Sequence, residues 1–335
     1  IFFLSNMHTI LIVGYGSIGK RHFKNISKIL DAKIIVLTKQ KNLPELQKNN
    51  VYVVNSLKEA LSYKPNIGFV TNETSFHVDT AIKLANNGMN LFLEKPLSHS
   101  MKNVNKLQKI IKKKKLITQI GCHMRFHPCV KKIKNILEKN SLGRIISVDI
   151  ESSSYLPDWH PYEDYRFGYA ARDDLGGGIS LTSIHEIDLL YWFFGMPQKV
   201  FSIIGKFSDL KVKTDDLSVM TFLLKNKIIG EVHLDYFQRP EFKSCKIKGV
   251  KGTLYWDSSI NEVKIFSHKS QKWKSSIKIK KFQKNSMYVD EIKYFFNCIK
   301  NNCITMNNID DGIKTLQIVL NAKKSSKFGK LVSIK

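Results

Sequence analysis

The feature that most constrains the fold is a glycine-rich hexapeptide, Gly14-Tyr15-Gly16-Ser17-Ile18-Gly19. It directly follows the apolar run 9–13 and precedes residues 20–23, where a helix can open. In a strand–turn–helix unit the first glycine allows a tight turn, the second lets the backbone approach a pyrophosphate, and the third allows close helix–strand packing. The helix N-terminus then faces the phosphates. The hexapeptide predicts a dinucleotide-binding site, and the alternative is a glycine turn without a ligand.

Length and composition set the class of protein. A chain of 335 residues with 43% hydrophobic residues predicts about two domains, each with its own core. No apolar run approaches the roughly 18 residues that span a bilayer, so we expect a soluble protein with no membrane partner. Residues 1–6 lack a basic region and a cleavage site, and we interpret them as an extension before Met7, not a signal peptide. Five cysteines without a C-x-x-C pair favour a reducing compartment, the cytoplasm.

The net charge of +26 raises the question of a nucleic-acid partner. Lysines are spread over nearly every segment, and the one dense run, 112–115, closes a predicted helix where cations favour the helix dipole. Aromatic residues do not alternate with that run as a stacking platform requires. We therefore predict no nucleic-acid partner, although the charge can steer acidic or phosphorylated substrates toward the protein.

Short β-branched runs alternate with helical patterns through the first third of the chain. The predicted strands are 9–13, 33–38, 51–54, 67–71, 90–93 and 116–120. Because each strand is followed by a crossover, the pattern predicts a doubly wound parallel sheet of the Rossmann type over residues 7–122.

The pattern changes in residues 123–335. A helix is predicted over 128–139, and an apolar helix follows the glycine triplet 176–178 and continues to 194. Strands are predicted at 145–153, 200–207, 217–224, 228–236, 246–248, 253–256, 263–267 and 276–279. Helices at 287–300 and 310–326 close the chain. This order predicts an α+β domain with an open, largely antiparallel sheet and helices on one face.

The end of the second predicted strand bears on cofactor choice. An NAD-specific site usually offers an acidic residue to the ribose hydroxyls about 20 residues past the glycines. This chain has Thr38 and Lys39 there, which could accept a 2′-phosphate. We predict NAD(P) as cofactor, leaning toward NADP; the alternative is that Lys39 is a solvated surface lysine.

Three motifs together carry a family resemblance. They are the hexapeptide 14–19, the tripeptide Glu94-Lys95-Pro96 after the fifth strand, and the glycine triplet followed by His185-Glu186-Ile187-Asp188. In this order the chain resembles, over nearly its whole length, the glucose–fructose oxidoreductase / inositol dehydrogenase / MocA (Gfo/Idh/MocA) family. The resemblance implies NAD(P)-dependent hydride transfer at a carbon of a sugar, cyclitol or nucleotide-sugar. It also implies a C-terminal domain that binds substrate and forms a homodimer or homotetramer through its sheet.

Two residues are the predicted catalytic pair. Lys95 follows a parallel strand at its carboxyl end, where ligands bind in such sheets, and an ammonium beside a nicotinamide can polarise a carbonyl oxygen. The family places its catalytic lysine there, although a lysine at a strand end can also be a surface residue. His185 can exchange a proton near neutral pH and contact substrate, or it can be a satisfied core histidine.

The chain departs from the family near this histidine. Many members carry an aspartate three or four residues before it, where this chain has Leu181 and Thr182. The usual lysine, aspartate and histidine trio is therefore incomplete. We predict Thr182 as a hydrogen-bonding substitute and Asp188 as an orienting residue or structural cap.

Further contacts follow from the resemblance. Glu94 resembles the family's cofactor-contacting glutamate, and Pro96 can shape a tight turn that is cis. The segment after the fourth strand resembles the family's turn at the cofactor, with matching residues Thr71, Asn72, Thr74 and His77. The alternative interpretation of this segment is that its polar residues cap the N-terminus of the next helix.

The loop from 155 to 172 is the best indication of substrate. Aromatic rings stack on sugar faces, and arginine can fork onto a phosphate or carboxylate. The candidate substrate-binding residues of this loop are Trp159, Tyr162, Arg166 and Arg172. Arg125 is a further candidate, because residues 125–128 resemble the family's stretch that enters the second domain, where a polar residue can face substrate. The alternative is that the loop contacts another subunit.

Cys122, His123 and His127 fit no common zinc spacing, so no metal is predicted. The alternative function is an inactive NAD(P)-binding regulator or sensor on the same fold.

Overall fold

The protein divides into two compact units. The computed structural model describes residues 8–334. The first unit holds the chain up to Gly121 together with Tyr288–Ile313, and the second holds Cys122–Met287 together with the residues from Lys314 onward. The boundary predicted at residue 122 falls at the first crossing, but the return of 288–313 to the first unit was not predicted. The predicted extension 1–6 and Met7 lie outside the described residues.

The first unit is a doubly wound parallel sheet, as predicted. Its strands are β1 (Thr9–Val13), β2 (Lys33–Leu37), β3 (Val51–Val54), β4 (Ile67–Val70), β5 (Asn90–Glu94) and β6 (Thr118–Gly121). Their order is β3-β2-β1-β4-β5-β6, and every pair is parallel. The crossovers contain the helices α1 (Ser17–Ile29), α2 (Leu57–Ser62), α3 (His77–Asn86) and α4 (Val104–Lys114). The strand order reverses between β1 and β4, the point where such sheets bind ligands at their carboxyl ends.

Both faces of this sheet are buried, and its strands are therefore almost continuously hydrophobic. One face packs against α1 and against a later helix of the same unit, α8 (Asn285–Lys300), which contributes Ile292, Phe295 and Phe296 to the core. On the other face, a Cβ at Gly68 would lie 2.6 Å from Leu84 Cδ1, so α3 lies directly on the sheet. Both predicted C-terminal helices are confirmed; the second, α9 (Ile309–Phe328), begins in the first unit and continues in the second.

The second unit is built on an open sheet that is largely antiparallel, as predicted, and that has nine strands. Its strands are β7 (Ile145–Ser153), β8 (Lys199–Gly205), β9 (Leu217–Leu223), β10 (Ile229–Asp235), β11 (Phe242–Gly249), β12 (Gly252–Asp257), β13 (Glu262–Ser267), β14 (Lys272–Lys278) and β15 (Val332–Ser333). They lie in the order β14-β13-β12-β11-β7-β10-β9-β8-β15, and only the β7–β10 pair is parallel among the pairs of the described residues.

Burial alternates along β8, β9, β10 and most of β7, so one face of this part of the sheet is covered and the other is open. The covered face packs against the helices α5 (Pro128–Glu138), α6 (Ile179–Thr182) and α7 (Ile184–Phe194). On β8, β9 and β10 the open face carries the odd-numbered side chains, such as Val219 and Ile229, which are partly exposed.

The structure corrects several boundaries in this unit. The helix predicted to run to 194 is broken at Ser183 into α6 and α7. The predicted strand 276–279 is the end of the longer β14, whose outer half lacks the apolar alternation used for prediction. The two-residue strand β15 was missed because it is too short to show a period. No helix among residues 8–334 is long and apolar enough to cross a membrane.

Candidate active site

The glycine-rich loop of the first unit has the geometry that a dinucleotide requires. Gly14 has a φ of +94°, and a Cβ there would lie 2.6 Å from the backbone nitrogen of Asn72. A Cβ at Gly19 would lie 2.3 Å from the Gly14 carbonyl oxygen. At Gly16, by contrast, a Cβ would meet nothing within 4 Å. The first and third glycines thus serve the turn and the packing, while Gly16, before the α1 N-terminus at Ser17 and Ile18, leaves space for an incoming group.

The loop after β4 holds the glycine turn through hydrogen bonds to its backbone. Thr71 Oγ1 lies 3.0 Å from the Val13 carbonyl oxygen and 2.8 Å from that of Gly14. The Asn72 amide donates to Thr80 Oγ1 at 3.1 Å, and Thr74 is buried. These contacts give Thr71 a supporting role in the turn; direct contacts of Thr71, Asn72 and Thr74 with a cofactor stay predictions.

None of residues 38–44, which directly follow β2, is acidic. Thr38 Oγ1 accepts a hydrogen bond from the backbone N–H of Gln40 at 3.1 Å, and the Gln40 amide donates to the Tyr15 carbonyl oxygen at 3.1 Å. Lys39 is exposed. Gln40 therefore ties this segment to the glycine loop, a role that the sequence did not indicate.

The tripeptide Glu94-Lys95-Pro96 lies at the carboxyl end of β5, as predicted, and the Lys95–Pro96 bond is cis. Glu94 is buried, and its Oε1 lies 2.6 Å from His22 Nε2 on α1. Its Oε2 accepts the backbone N–H of Lys95 at 3.2 Å. A Cβ at Gly121, its partner on β6, would lie 2.9 Å from Glu94 Oε1, so a side chain there would displace this carboxylate. Lys95 itself is partly exposed.

His77 lies beneath the same turn. Its Nδ1 is 2.8 Å from the Pro96 carbonyl oxygen, and its Nε2 is 2.8 Å from the Asn72 carbonyl oxygen. Since both ring nitrogens face backbone oxygens and the ring is buried, these contacts give His77 a role in shaping the two loops. Its predicted direct contact with a cofactor is not among them and stays a prediction.

In the second unit, the glycine triplet packs against the loop that precedes it. A Cβ at Gly177 would lie 2.2 Å from the Tyr169 carbonyl oxygen, and Gly178 has a φ of +101°. Asp215 caps the helix that follows, because its backbone oxygen accepts from Ile179 N at 2.9 Å and its Oδ2 accepts from Ser180 N at 2.8 Å. The triplet therefore fixes where α6 begins.

Thr182 ends α6 in a chain of buried hydroxyls. Its Oγ1 donates to the Gly178 carbonyl oxygen at 2.9 Å, so it accepts the hydrogen bond that links it to the Tyr236 hydroxyl. Burial raises the pKa of Tyr236 well above its usual value, so the phenol keeps the proton that it donates. Sequence reasoning missed Tyr236, because a tyrosine at a strand end gives no signal of its partner.

His185 lies in the first turn of α7, after the break at Ser183. It is buried, and its ring makes an edge contact with the ring of His123 at a centroid separation of 4.3 Å. The next residue, Glu186, accepts from Lys243 Nζ at 2.7 Å. The structure thus brings a second imidazole to the predicted proton-exchanging histidine, a pairing that no motif indicated.

Arg125 and Asp188 form a buried bidentate ion pair. Arg125 Nε donates to Asp188 Oδ2 at 2.8 Å, and Nη2 donates to Oδ1 at 2.7 Å. The guanidinium also lies 5.4 Å from the ring centroid of Trp192. This pairing ties the segment before α5 to α7, and the orienting or capping role of Asp188 stays a prediction. Substrate binding by Arg125 stays a prediction.

The predicted substrate loop consists of short 3-10 turns at Leu156–Asp158, Tyr165–Phe167, Tyr169–Ala171 and Asp173–Leu175. Trp159 is held in place, because its Nε1 donates to Ser154 Oγ at 2.9 Å and its ring meets the Tyr236 ring edge-on at 5.4 Å. Tyr162 is exposed. Arg166 and Arg172 pair with Asp164 and Asp174, two residues away in each case. Within residues 8–334, no three His, Cys, Asp or Glu side chains are grouped so that they could hold a metal ion.

Together these features define the class of protein: an oxidoreductase whose first unit is a nicotinamide-dinucleotide-binding Rossmann fold. The family model described as "Oxidoreductase family, NAD-binding Rossmann fold" matches residues 8–122, and that described as "GFO/IDH/MocA C-terminal domain" matches residues 130–255. The chain belongs to the Gfo/Idh/MocA family, as its motifs predicted.

Relatives extend over almost the whole chain. It is 27% identical to the uncharacterized oxidoreductase YrbE of Bacillus subtilis, over 96% of this chain and 95% of the relative. It is 26% identical to the myo-inositol 2-dehydrogenase of Thermotoga maritima, over 94% and 95% of the two chains. Among solved structures, levoglucosan dehydrogenase in complex with NADH has a TM-score of 0.86 at 15% identity, covering 98% of this chain and 100% of that one. The last likeness shows the fold alone.

Proposed function

We propose that this protein transfers a hydride between NAD(P)(H) and a hydroxyl or keto carbon of a sugar, cyclitol or nucleotide-sugar. The observation that carries the proposal is the position of Lys95. It follows a buried, hydrogen-bonded glutamate at the carboxyl end of β5, on the same sheet edge as the glycine loop after β1. The substrates in the names of the relatives, myo-inositol among them, are of this class.

The cofactor, when bound, supplies the hydride donor or acceptor, and the protein must handle the proton of the reacting hydroxyl. In the proposal the Lys95 ammonium donates a hydrogen bond or a proton to that oxygen, and His185 exchanges a proton with it. The Thr182 hydroxyl donates its hydrogen bond to the Gly178 carbonyl oxygen, so we propose it as a fixed acceptor for Tyr236 and not as a proton relay.

The first unit contains residues that fit the cofactor. The open space at Gly16 and the amides of Ser17, Ile18 and Gly19 at the start of α1 suit the pyrophosphate. Thr38 and Lys39 suit the adenosine ribose, and without an acid at this place a 2′-phosphate meets no negative charge from these side chains. The absence of an acid beside Thr38 and Lys39 supports binding of NADP as well as NAD, and we propose NADP as the preferred cofactor.

The second unit would supply the substrate contacts. The Trp159 ring is oriented by its hydrogen bond and suits the face of a sugar ring. Tyr162, Arg166 and Arg172 lie at the exposed part of the same loop, where each arginine is held by a neighbouring aspartate. A substrate phosphate or carboxylate would replace one of those aspartate contacts.

We also propose that the protein forms a homodimer or homotetramer through the open face of the second sheet. Large apolar side chains lie on it with substantial exposure: Phe201 42%, Ile203 53%, Val219 38% and Ile229 41%. Such a face would be covered in an assembly of identical subunits.

The five cysteines are all free thiols, which supports the proposed reducing, cytoplasmic location.

A substrate screen tests the activity. The purified protein is incubated with NAD⁺ or NADP⁺ and with myo-inositol, scyllo-inositol, levoglucosan, glucose 6-phosphate or uridine-linked sugars, and the absorbance of reduced nicotinamide is followed. We expect turnover with at least one compound, and turnover lower by about a hundredfold or more for Lys95→Ala. Cofactor binding without turnover on any compound would favour the regulator or sensor instead.

A further inference from the structure

Two buried histidines hold the Glu94-Lys95-Pro96 turn, one at each end. His22, on α1, is fully buried and lies 2.6 Å from one oxygen of the Glu94 carboxylate. The other oxygen accepts the Lys95 backbone N–H at 3.2 Å. Hydrogen bonds therefore connect the His22 ring to the backbone of Lys95 through Glu94.

The second histidine acts on the far side of the turn. His77 lies 2.8 Å from the Pro96 carbonyl oxygen and 2.8 Å from the Asn72 carbonyl oxygen. Burial lowers the pKa of His77, so the ring is neutral and its single N–H serves one of the two oxygens at a time. The ring joins the turn after β5 to the loop after β4.

Packing fixes the orientation of the His22 ring. Its centroid lies 4.9 Å from that of Phe92 and 5.5 Å from that of Phe69, both core residues of the sheet. A ring held this way cannot swing away from Glu94 without opening the core. The position of the carboxylate is therefore set by the helix and the sheet together.

A gain in folding stability alone does not account for the buried contact between the His22 imidazole and the Glu94 carboxylate. Taking a carboxylate and an imidazole out of water costs free energy that their attraction often only offsets, and apolar residues of similar size are often as stable. A reacting group that is misplaced by about 1 Å can lose about a hundredfold in rate, so a fixed turn has a kinetic use.

We propose that His22 and His77 are positioning residues that fix the turn at both ends and thereby hold the Lys95 ammonium in place for proton transfer. This inference rests on the proposed role of Lys95. Neither histidine is expected to touch the reacting atoms. His22 acts through Glu94, and His77 acts through the Pro96 carbonyl group.

The first test needs no substrate. Backbone hydrogen–deuterium exchange is measured on the peptide containing residues 94–97 in His22→Leu, His22→Gln, His77→Leu and His77→Gln. Phe222→Leu is the control, because it changes a fully buried side chain on β9 of the second unit. We expect exchange in this peptide to become about tenfold faster or more in both leucine variants. It should stay near the wild-type rate in the glutamine variants, whose amide can still donate, and in the control. If His22→Leu does not fold, His22→Asn, too short to reach Glu94, replaces it.

The second test uses turnover on the substrate found by the screen. Both leucine variants should lose about tenfold or more in kcat while KM changes by less than about threefold, and glutamine should restore most of the loss. On a Lys95→Ala background the same substitutions should cost little more, because they act through that lysine. Unchanged exchange in both leucine variants would overturn the inference, as would full costs on the Lys95→Ala background. If Lys95→Ala itself keeps normal turnover, the proposed role of Lys95 fails, while the exchange result still decides whether the histidines hold the turn.

Discussion

The buried pair of Arg125 and Asp188 allows a prediction with a defined magnitude. Both side chains are nearly inaccessible to solvent, and two charge-assisted hydrogen bonds of 2.8 and 2.7 Å join them. Asp188→Asn removes the negative charge and leaves the guanidinium buried without it. Breaking a buried pair on one side costs about 3–5 kcal/mol. For a unit of this size, about 2–4 °C of melting temperature is lost per kcal/mol, so the expected fall in Tm is about 6–20 °C.

Thermal unfolding followed by circular dichroism measures this loss. The matched variant is the double substitution Arg125→Met and Asp188→Leu, which removes both charges and keeps much of the volume. It should recover most of the lost Tm, because no uncompensated charge remains. A Tm for Asp188→Asn within about 2 °C of wild type would refute the reasoning, since that is the effect of less than about 1 kcal/mol. The double variant also tests substrate binding by Arg125: a large rise in KM at recovered stability would support it.

Three further predictions concern other parts of the chain. Burial lowers the pKa of His127 from 6.5 to about 4, and its Nδ1 accepts the Cys129 N–H that begins α5. As the pH falls, His127 binds a proton in the unfolded state near pH 6.5 but in the folded state only near pH 4. About 3 kcal/mol of the free energy of unfolding that is present above pH 6.5 is therefore lost as the pH falls to about 4. His127→Asn, which keeps a capping oxygen, should flatten that part of a Tm–pH profile, and an unaltered profile would contradict the assignment. For the cofactor, fluorescence titration should show NADP(H) binding at least as tightly as NAD(H), with Lys39→Ala weakening NADP(H) alone; a strong NAD preference that survives Lys39→Ala would show that the missing acid is harmless. On the open face, Ile203→Asp should convert the oligomer to smaller species in size-exclusion chromatography with light scattering, and an unchanged mass would place the interface elsewhere.

Local patterns predicted the first unit well, because each element there is a short apolar run or a capped helix close to its neighbours in the chain. The glycine loop, the six strands and the lysine at the end of β5 all follow from residues adjacent in sequence. The return of 288–313 to that unit could not be foreseen. The apolar face of α8 gives no sign of its partner, and only three-dimensional packing places it against Phe69 of β4 and Phe92 of β5.

The site was predicted less completely, since its hydrogen bonds join residues that are distant in sequence. His22 and Glu94 are separated by 72 positions, and Arg125 and Asp188 by 63. A sequence shows that such groups can ionise but not which partner they meet. The helix break at Ser183 was also missed, because residues 179–194 keep a continuous helical apolar pattern across it.

The most direct test of the central claim is a kinetic cycle on Lys95 and His185. Lys95→Ala should lower kcat by about a hundredfold or more while the Kd for reduced nicotinamide cofactor changes little, as expected for loss of a general acid or base. His185→Ala should also lose turnover, and the double variant should lose far less than the product of the two effects, because in the proposed reaction both groups act on one oxygen of the substrate. Near-normal turnover in both single variants on the same substrate would contradict the account.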